Sequence, residues 1–269
     1  MTNTMPSDDL GAEAERLAAR VRAAPSDMPA RLALAEALIL AGAFDRAEGQ
    51  LLTLSKLDAT APVRIARLRH LLRAEVARHA WYSDGAVPSL VAAPAAAQQA
   101  ALGIMVALRA GDGSAAALAE AAEAARAPLR GRLDGTAFDD FRDLDDLCAN
   151  YLEVLTGDGG YLWVDWHNVS GLRFVPPARP LNLLWREARL VLHDGRAADV
   201  VVPAVYVAPG GTDAQRLGRS TDWRDEGGLV RGAGQRSFLV GDDGHGILSM
   251  TELHFDPPPA DPASASTPA

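Results

Sequence analysis

Residues 189–202 read RLVLHDGRAADVVV. Two β-rich runs flank Asp194-Gly195, a pair that tolerates the positive φ a tight primed turn demands, so the stretch predicts a β-hairpin. Runs of the same kind surround it. YLWVDW (161–166), LRFV (172–175) and RSFLVGDDGHGILSMTELHF (236–255) are short, β-rich and punctuated by glycine and proline. Pro180 is placed to open a short helix through LNLLWR, proline being tolerated in a first helical turn.

Toward the N-terminus the period changes. Residues 8 to 127 read as helical. In RLALAEALILAGAFDRAEGQLLTLSKLDA (31–59), Leu34, Leu38 and Ala41 share one helical face, and Ala47, Leu51 and Leu54 share another. Gly42 to Phe44 breaks the two, predicting a helix hairpin. The spacing of Ala35, Leu38, Gly42, Ala47 and Leu51 fits a tetratricopeptide-like repeat, whose small residues let paired helices approach. LGIMVALRAGDGSAAALAEAAEAA (102–125) repeats it, Gly111 and Ala116 mirroring Gly42 and Ala47. The unit between, with Ile65, Leu68, Leu72 and Val76, keeps the period without the small residues.

Between the halves, Pro128 to Asp146 carries the acidic FDDFRDLDD and reads as a link between two folding units. The expected architecture is therefore α+β. A tetratricopeptide-like helical domain over residues 1–130 precedes a compact, barrel-like β-rich domain over 131–255. The tail 256–269, DPPPADPASASTPA, has little to bury and is expected to be disordered.

The 269 residues carry a net charge of −9, which argues against general polyanion binding and hence nucleic acid. Lys56 is the sole lysine among 26 cations, a bias of composition rather than of function. One cysteine, Cys148, allows no intrachain disulfide. Its helical-looking context beside carboxylates favours a buried, inert thiol. No signal peptide or membrane-length apolar run is present, so a cytoplasmic protein with no membrane partner is expected.

Motifs for chemistry are few. GAGQRS (232–237) lacks the Gly-Lys-Ser/Thr ending of a phosphate loop and reads as a tight glycine turn feeding a strand. No two of the six histidines stand three to five residues apart, so no metal site is expected. No serine sits in a nucleophile elbow. Asp139-Asp140 and Asp145-Asp146 read as solvated helix faces and caps. Four of the five tryptophans (163, 166, 185 and 223) lie in the C-terminal half, where a small β-rich domain would bury them. Arg219, Arg224, Arg231 and Arg236 alternate with Asp222, Asp225 and Glu226, and internal pairing is the simpler reading over an anion clamp.

Taken in order, several motifs resemble one family. They are Tyr161-Leu162-Trp163-Val164 with Trp166, Pro176-Pro177, and Leu183-Leu184-Trp185-Arg186 followed by Ala188. After these come the Gly195 turn, Pro203-Ala204 with Tyr206, Leu217-Gly218-Arg219, Thr221-Asp222-Trp223, and Gly232 with Gly234-Gln235-Arg236. The set resembles the ImpE/TagJ accessory proteins of bacterial type VI secretion. Asn182 stands where that family's pattern carries Asp, so no carboxylate role transfers there.

The resemblance implies a non-enzymatic adaptor of the contractile sheath without cofactor or metal. Its implied partners are the N-terminal helix of a TssB-like small sheath subunit and the disassembly ATPase ClpV. An amphipathic helix would suit a groove of the helical half. It further implies structural or partner-binding roles for Trp163, Trp185, Arg186, Arg219, Asp222, Trp223, Arg231, Gly232, Gln235 and Arg236. Among these, Asp222 is expected to pair with a neighbouring arginine and Trp223 to fill the core. The rival expectation is a small-molecule binder or enzyme that uses an Arg/Asp/Trp pocket around residues 216–236.

Overall fold

The computed structural model describes residues 9–57, 62–91 and 93–258. Its first half is helical: α1 (Leu10–Ala23), α2 (Met28–Leu40), α3 (Phe44–Leu57), α4 (Pro62–Asp84), α5 (Ala96–Ala110) and α6 (Ala115–Ala125). A two-residue strand, β1 (Ser89–Leu90), interrupts them. Local chemistry sets the ends. Asp9 caps α1 by accepting from Ala12 N at 2.7 Å, and Asp27 caps α2 by accepting from Ala30 N at 2.9 Å. α2 and α3 turn through Gly42 (φ 74°), and α5 closes on Gly111 in the left-handed region (φ 62°), so the mirrored glycines do the same work. α2 buries residues around most of its circumference, including Leu34, Ala35, Leu38 and Ile39. It lies between α1 and α3.

The second half is built on strands: β2 (Gly131–Leu133), β3 (Thr136–Phe138), β4 (Phe141–Asp143), β5 (Tyr151–Leu155), β6 (Tyr161–Asp165), β7 (Val169–Phe174), β8 (Trp185–Leu192) and β9 (Ala197–Pro203). A short helix α7 (Asp213–Arg216) leads to β10 (Thr221–Glu226), β11 (Leu229–Gly234), β12 (Ser237–Val240), β13 (Asp243–Gly246) and β14 (Glu252–Phe255). Nine strands form one sheet in the order β1-β6-β5-β9-β8-β7-β14-β2-β3. β10 and β11 pair only with each other, and β13-β12-β4 make a third sheet. The hairpin read at 189–202 is the β8–β9 pair at the sheet's centre, with Gly195 at φ 84° inside a four-residue turn.

Alternation along the central strands assigns two faces. Tyr151, Leu155, Trp163, Trp185 and Val201 join the helices in one apolar cluster. Leu152, Val154, Val164, Ala188 and Val202 join a second, together with Phe141 and Phe238 of the three-stranded sheet. The sheet is thus a middle layer with helices on one side, and β5 is buried along its whole length.

Four expectations are corrected. No barrel closes: β1 and β3 end the sheet on opposite sides, and β10–β11 and β4–β12–β13 are separate. The acidic stretch 138–146 is no free link, because it ends β3, supplies β4 and runs on as a buried turn. Cys148 lies in that turn rather than in a helix, though it is buried as expected. Pro180 opens only a single 3-10 turn, Pro180–Leu183, before Trp185 begins β8. The tail assigned to disorder lies, from residue 259 onward, outside the described residues.

Candidate functional site

The motif-bearing segment starts at α7 and runs through β10, β11 and β12. On β11, Gly232 lies against Tyr206, and a Cβ there would overlap the tyrosine ring. Gly234 has φ 114°, and a Cβ there would meet Ser220 O. Gln235 donates from Nε2 to Gly218 O at 2.6 Å and accepts from Leu248 N at 3.3 Å, tying three loops together. The glycine-rich run is a device for close backbone approach.

Arg236 is fully buried. Its Nε donates to Asp143 Oδ2 at 2.9 Å, and its Nη1 donates to Glu153 Oε2 at 3.0 Å. Glu153, the one charged residue of β5, also receives Arg78 of α4 through Nε at 3.0 Å and Nη2 at 3.1 Å. Tyr161 OH donates to Glu153 at 2.6 Å, and Trp163 Nε1 donates to Tyr161 OH at 2.7 Å. Arg78 continues to Glu75 at 3.1 Å, which accepts from Trp185 Nε1 at 3.0 Å. Beside this chain Arg231 Nε meets both oxygens of Asp145 at 3.0 Å, and Gly232 N donates to Asp145 at 2.9 Å. The result is a buried ionic network joining α4, β4, β5, β11 and the turn that enters β12.

Three guanidiniums, Arg78, Arg231 and Arg236, face four carboxylates, Glu75, Asp143, Asp145 and Glu153. The imbalance shows at Asp143. Burial raises its pKa, Arg236 opposes, Asp145 adds repulsion, and the net value is about 6. Glu75 behaves oppositely: burial raises it, but Arg78, His79 and Trp185 together bring it to about 2. Glu153 ends below its ordinary value, burial being outweighed by Arg78 and Arg236. Burial and the surrounding carboxylates push the Cys148 thiol well up, which disfavours the thiolate.

Of the ten motif residues, six lie in or directly against this network. Arg231, Gly232, Arg236, Trp163 and Trp185 touch its members, and Gln235 braces the adjoining loops. Arg186 is buried elsewhere, donating to Ile247 O at 2.9 Å with its guanidinium 4.7 Å from the Phe174 ring. The remaining three are at the surface. Arg219 is exposed, its backbone N–H bonding Ala214 O at 2.8 Å. Asp222 is exposed and accepts from Gln215 Nε2 at 2.7 Å, so it is no buried ion-pair member. Trp223 is 43 % exposed, with one edge on Tyr206, so it does not fill the core. Asp145 is corrected in the other direction: it is buried, not a solvated cap.

The sequence reading missed Glu75, Arg78, Asp143 and Glu153. A single glutamate inside YLEVL was the available signal, since a charge in a fully buried strand must find a counter-charge. Among the described residues no group of His, Cys, Asp and Glu could hold a metal, and no helix is long and apolar enough to cross a membrane. A cleft of about 230 Å³ lies under the hairpin, between Tyr82, Arg109, Arg224 and Arg231. Arg231 is already committed to Asp145 there.

Residues 135–254 match the family model described as ImpE protein. The chain is 31 % identical over 241 residues to the type VI secretion system accessory component TagJ of Pseudomonas aeruginosa. That alignment covers 88 % of this chain and 84 % of the relative. The chain belongs to the ImpE family. A crystal structure of protein VPA1032 from Vibrio parahaemolyticus has the same fold, with TM-score 0.87 and 26 % identity. The match covers 94 % of this chain and 96 % of that one. In this ImpE protein the matched span contains all ten motif residues, whereas Glu75 and Arg78, which complete the network, precede it.

Proposed function

We propose that this ImpE protein is a non-enzymatic adaptor of the type VI secretion sheath. It binds the N-terminal helix of a TssB-like small subunit and assists ClpV-linked disassembly in the cytoplasm. The observation that carries the reading is the identity to TagJ across nearly the whole chain. Arg231 and Arg236 are spent on buried ion pairs, which supports it, because the cleft beside Arg224 is left without a free Arg231.

The tetratricopeptide-like reading of the helical half suggests where the partner helix lies. α3 and α4 leave a groove of about 430 Å³ floored by Phe44, Leu72 and Val76 and walled by Glu48, Arg69 and Arg73. Leu52, 41 % exposed, lies one turn beyond Glu48. An amphipathic helix would anchor apolar residues three and four apart along that floor.

Because helices and sheet share one core, the whole chain rather than a fragment is the right test object. Calorimetry of the cognate sheath subunit's N-terminal peptide should give an affinity of roughly micromolar order. Val76→Glu should abolish it without loss of fold, as Val76 is exposed. Absence of binding to the wild-type chain would end the adaptor reading as stated.

A further inference from the structure

The β2–β3 and β12–β13 hairpins face each other across a cleft of about 670 Å³, which shares no residue with the α3–α4 groove. Its floor is apolar. Leu133 and Val240 are buried, and Phe138 is half-buried against Phe141 and Phe255. Two strands that line it are sheet ends: β3 is the last strand of the nine-stranded sheet and β13 the last of the three-stranded one. Alternate residues of such a strand turn N–H and C=O away from the single neighbour, leaving backbone groups to be paired.

The rim has a single sign. Asp139, Asp242 and Asp243 are exposed around the cleft, and among the described residues none of their side-chain carboxylates has a hydrogen-bond or ion-pair partner. Elsewhere in the molecule most carboxylates are held by an arginine, as Glu48, Asp140, Asp146 and Glu252 are. Unpaired acids beside an open edge repel a second copy of the same acidic chain. They also leave a space complementary to an extended cation-bearing strand.

We propose that this cleft receives an extended cationic peptide segment of a partner protein, which adds as a strand to the free edge of β3. Its Arg or Lys side chains face Asp139, Asp242 and Asp243, and its intervening apolar residues meet Phe138. Neither MTNTMPSD (1–8) nor PADPASASTPA (259–269) contains Lys or Arg, so neither stretch has the chemistry of such a segment. A second copy brings a net charge of −9 and the wrong sign. Backbone pairing gives such a strand its affinity, and the carboxylates give its direction and salt dependence.

The test is fluorescence anisotropy of the full-length protein with a labelled short peptide of alternating Arg and Val. Saturable binding that weakens as salt rises is expected. The double variant Asp242→Asn/Asp243→Asn should weaken it about tenfold. Both positions are exposed, so unchanged far-ultraviolet circular dichroism and thermal midpoint should accompany that loss. A peptide of equal charge with proline at alternate positions should also lose binding, because it cannot donate to the edge. The proposal is overturned by absence of saturable binding, by undiminished affinity in the double variant, or by a proline peptide that binds equally well.

Discussion

The two strands of the β10–β11 hairpin are hydrogen-bonded along their whole length, yet they serve opposite ends. β11 presents Arg231, Gly232, Ala233 and Gly234 to the interior, whereas β10 leaves Asp222, Trp223, Asp225 and Glu226 in solvent. Arg231 and Arg224 stand directly opposite each other across the pair. Both reach the exposed Glu226, Arg231 at 3.2 Å and Arg224 at 3.3 Å, but Arg231 also binds Asp145, distant in sequence and fully buried. The local carboxylate is common to both arginines, so the distant one sets the difference between them.

The sharpest way to break this contrast is to remove the interior charge. Arg236→Met strands Asp143 and Glu153 without their shared cation and should cost about 3–5 kcal/mol in urea denaturation. Arg224→Met on the outer strand should cost less than about 1 kcal/mol, since an exposed pair contributes little. Equal losses in the two variants would show that the network is not what distinguishes the strands.

The pH dependence tests the imbalance of charge within the network. Asp143 goes from 3.8 unfolded to about 6 folded, so the fold favours its protonated form. Its contribution therefore grows as pH falls through about 6 and fades at higher pH. Glu75, lowered from 4.5 to about 2, contributes above its unfolded value, and that contribution is lost as pH falls toward 2. His167, raised chiefly by its hydrogen bond to Asp165, also favours the acid side of neutrality. Stability at pH 5 should exceed that at pH 8 by about 1–1.5 kcal/mol. Asp143→Asn should remove most of this difference, and urea midpoints at the two pH values measure it.

How much of this was legible beforehand follows from the same contrast. Elements whose cause is local were readable: the Asp194-Gly195 hairpin and the Gly42 and Gly111 helix breaks. The ordered motifs led to the family. What failed depends on sequence-distant partners. Asp145 looks like a cap until Arg231 arrives from 86 residues away. Trp223 looks like core until β10 is seen to have no strand beyond it. Sheet closure is likewise a property of nine strands together, not of any run.

A steric test is smaller in scale. Gly232→Ala places a methyl group where the Tyr206 ring lies, and Tyr206 is itself held by donating to Asp143 at 2.7 Å. The ring cannot retreat without breaking that bond, so a loss of about 1–3 kcal/mol is expected by thermal or urea denaturation. A neutral outcome would mean that the ring moves freely and that the glycine is not there for Tyr206.

The smallest effect on stability belongs to Trp223, and it bears on what β10 is for. A tryptophan spent on the core costs several kcal/mol when truncated, whereas one with 43 % of its surface in water loses only its covered edge. Trp223→Ala should therefore change stability by less than about 1 kcal/mol, most of it from the edge contact with Tyr206 at a centroid distance of 5.8 Å. Val230, 49 % exposed, lies on the same face of the hairpin, one residue pair beyond Gly232 and Arg231. An exposed Trp and Val on one face of a two-stranded sheet have the composition of a contact patch, and such patches concentrate binding energy in their aromatic residues. If β10 serves a partner, Trp223→Ala will weaken capture of type VI secretion components from a lysate of the native host while the denaturation midpoint stays in place. A large fall in that midpoint would instead return Trp223 to the interior and erase the difference between the two strands.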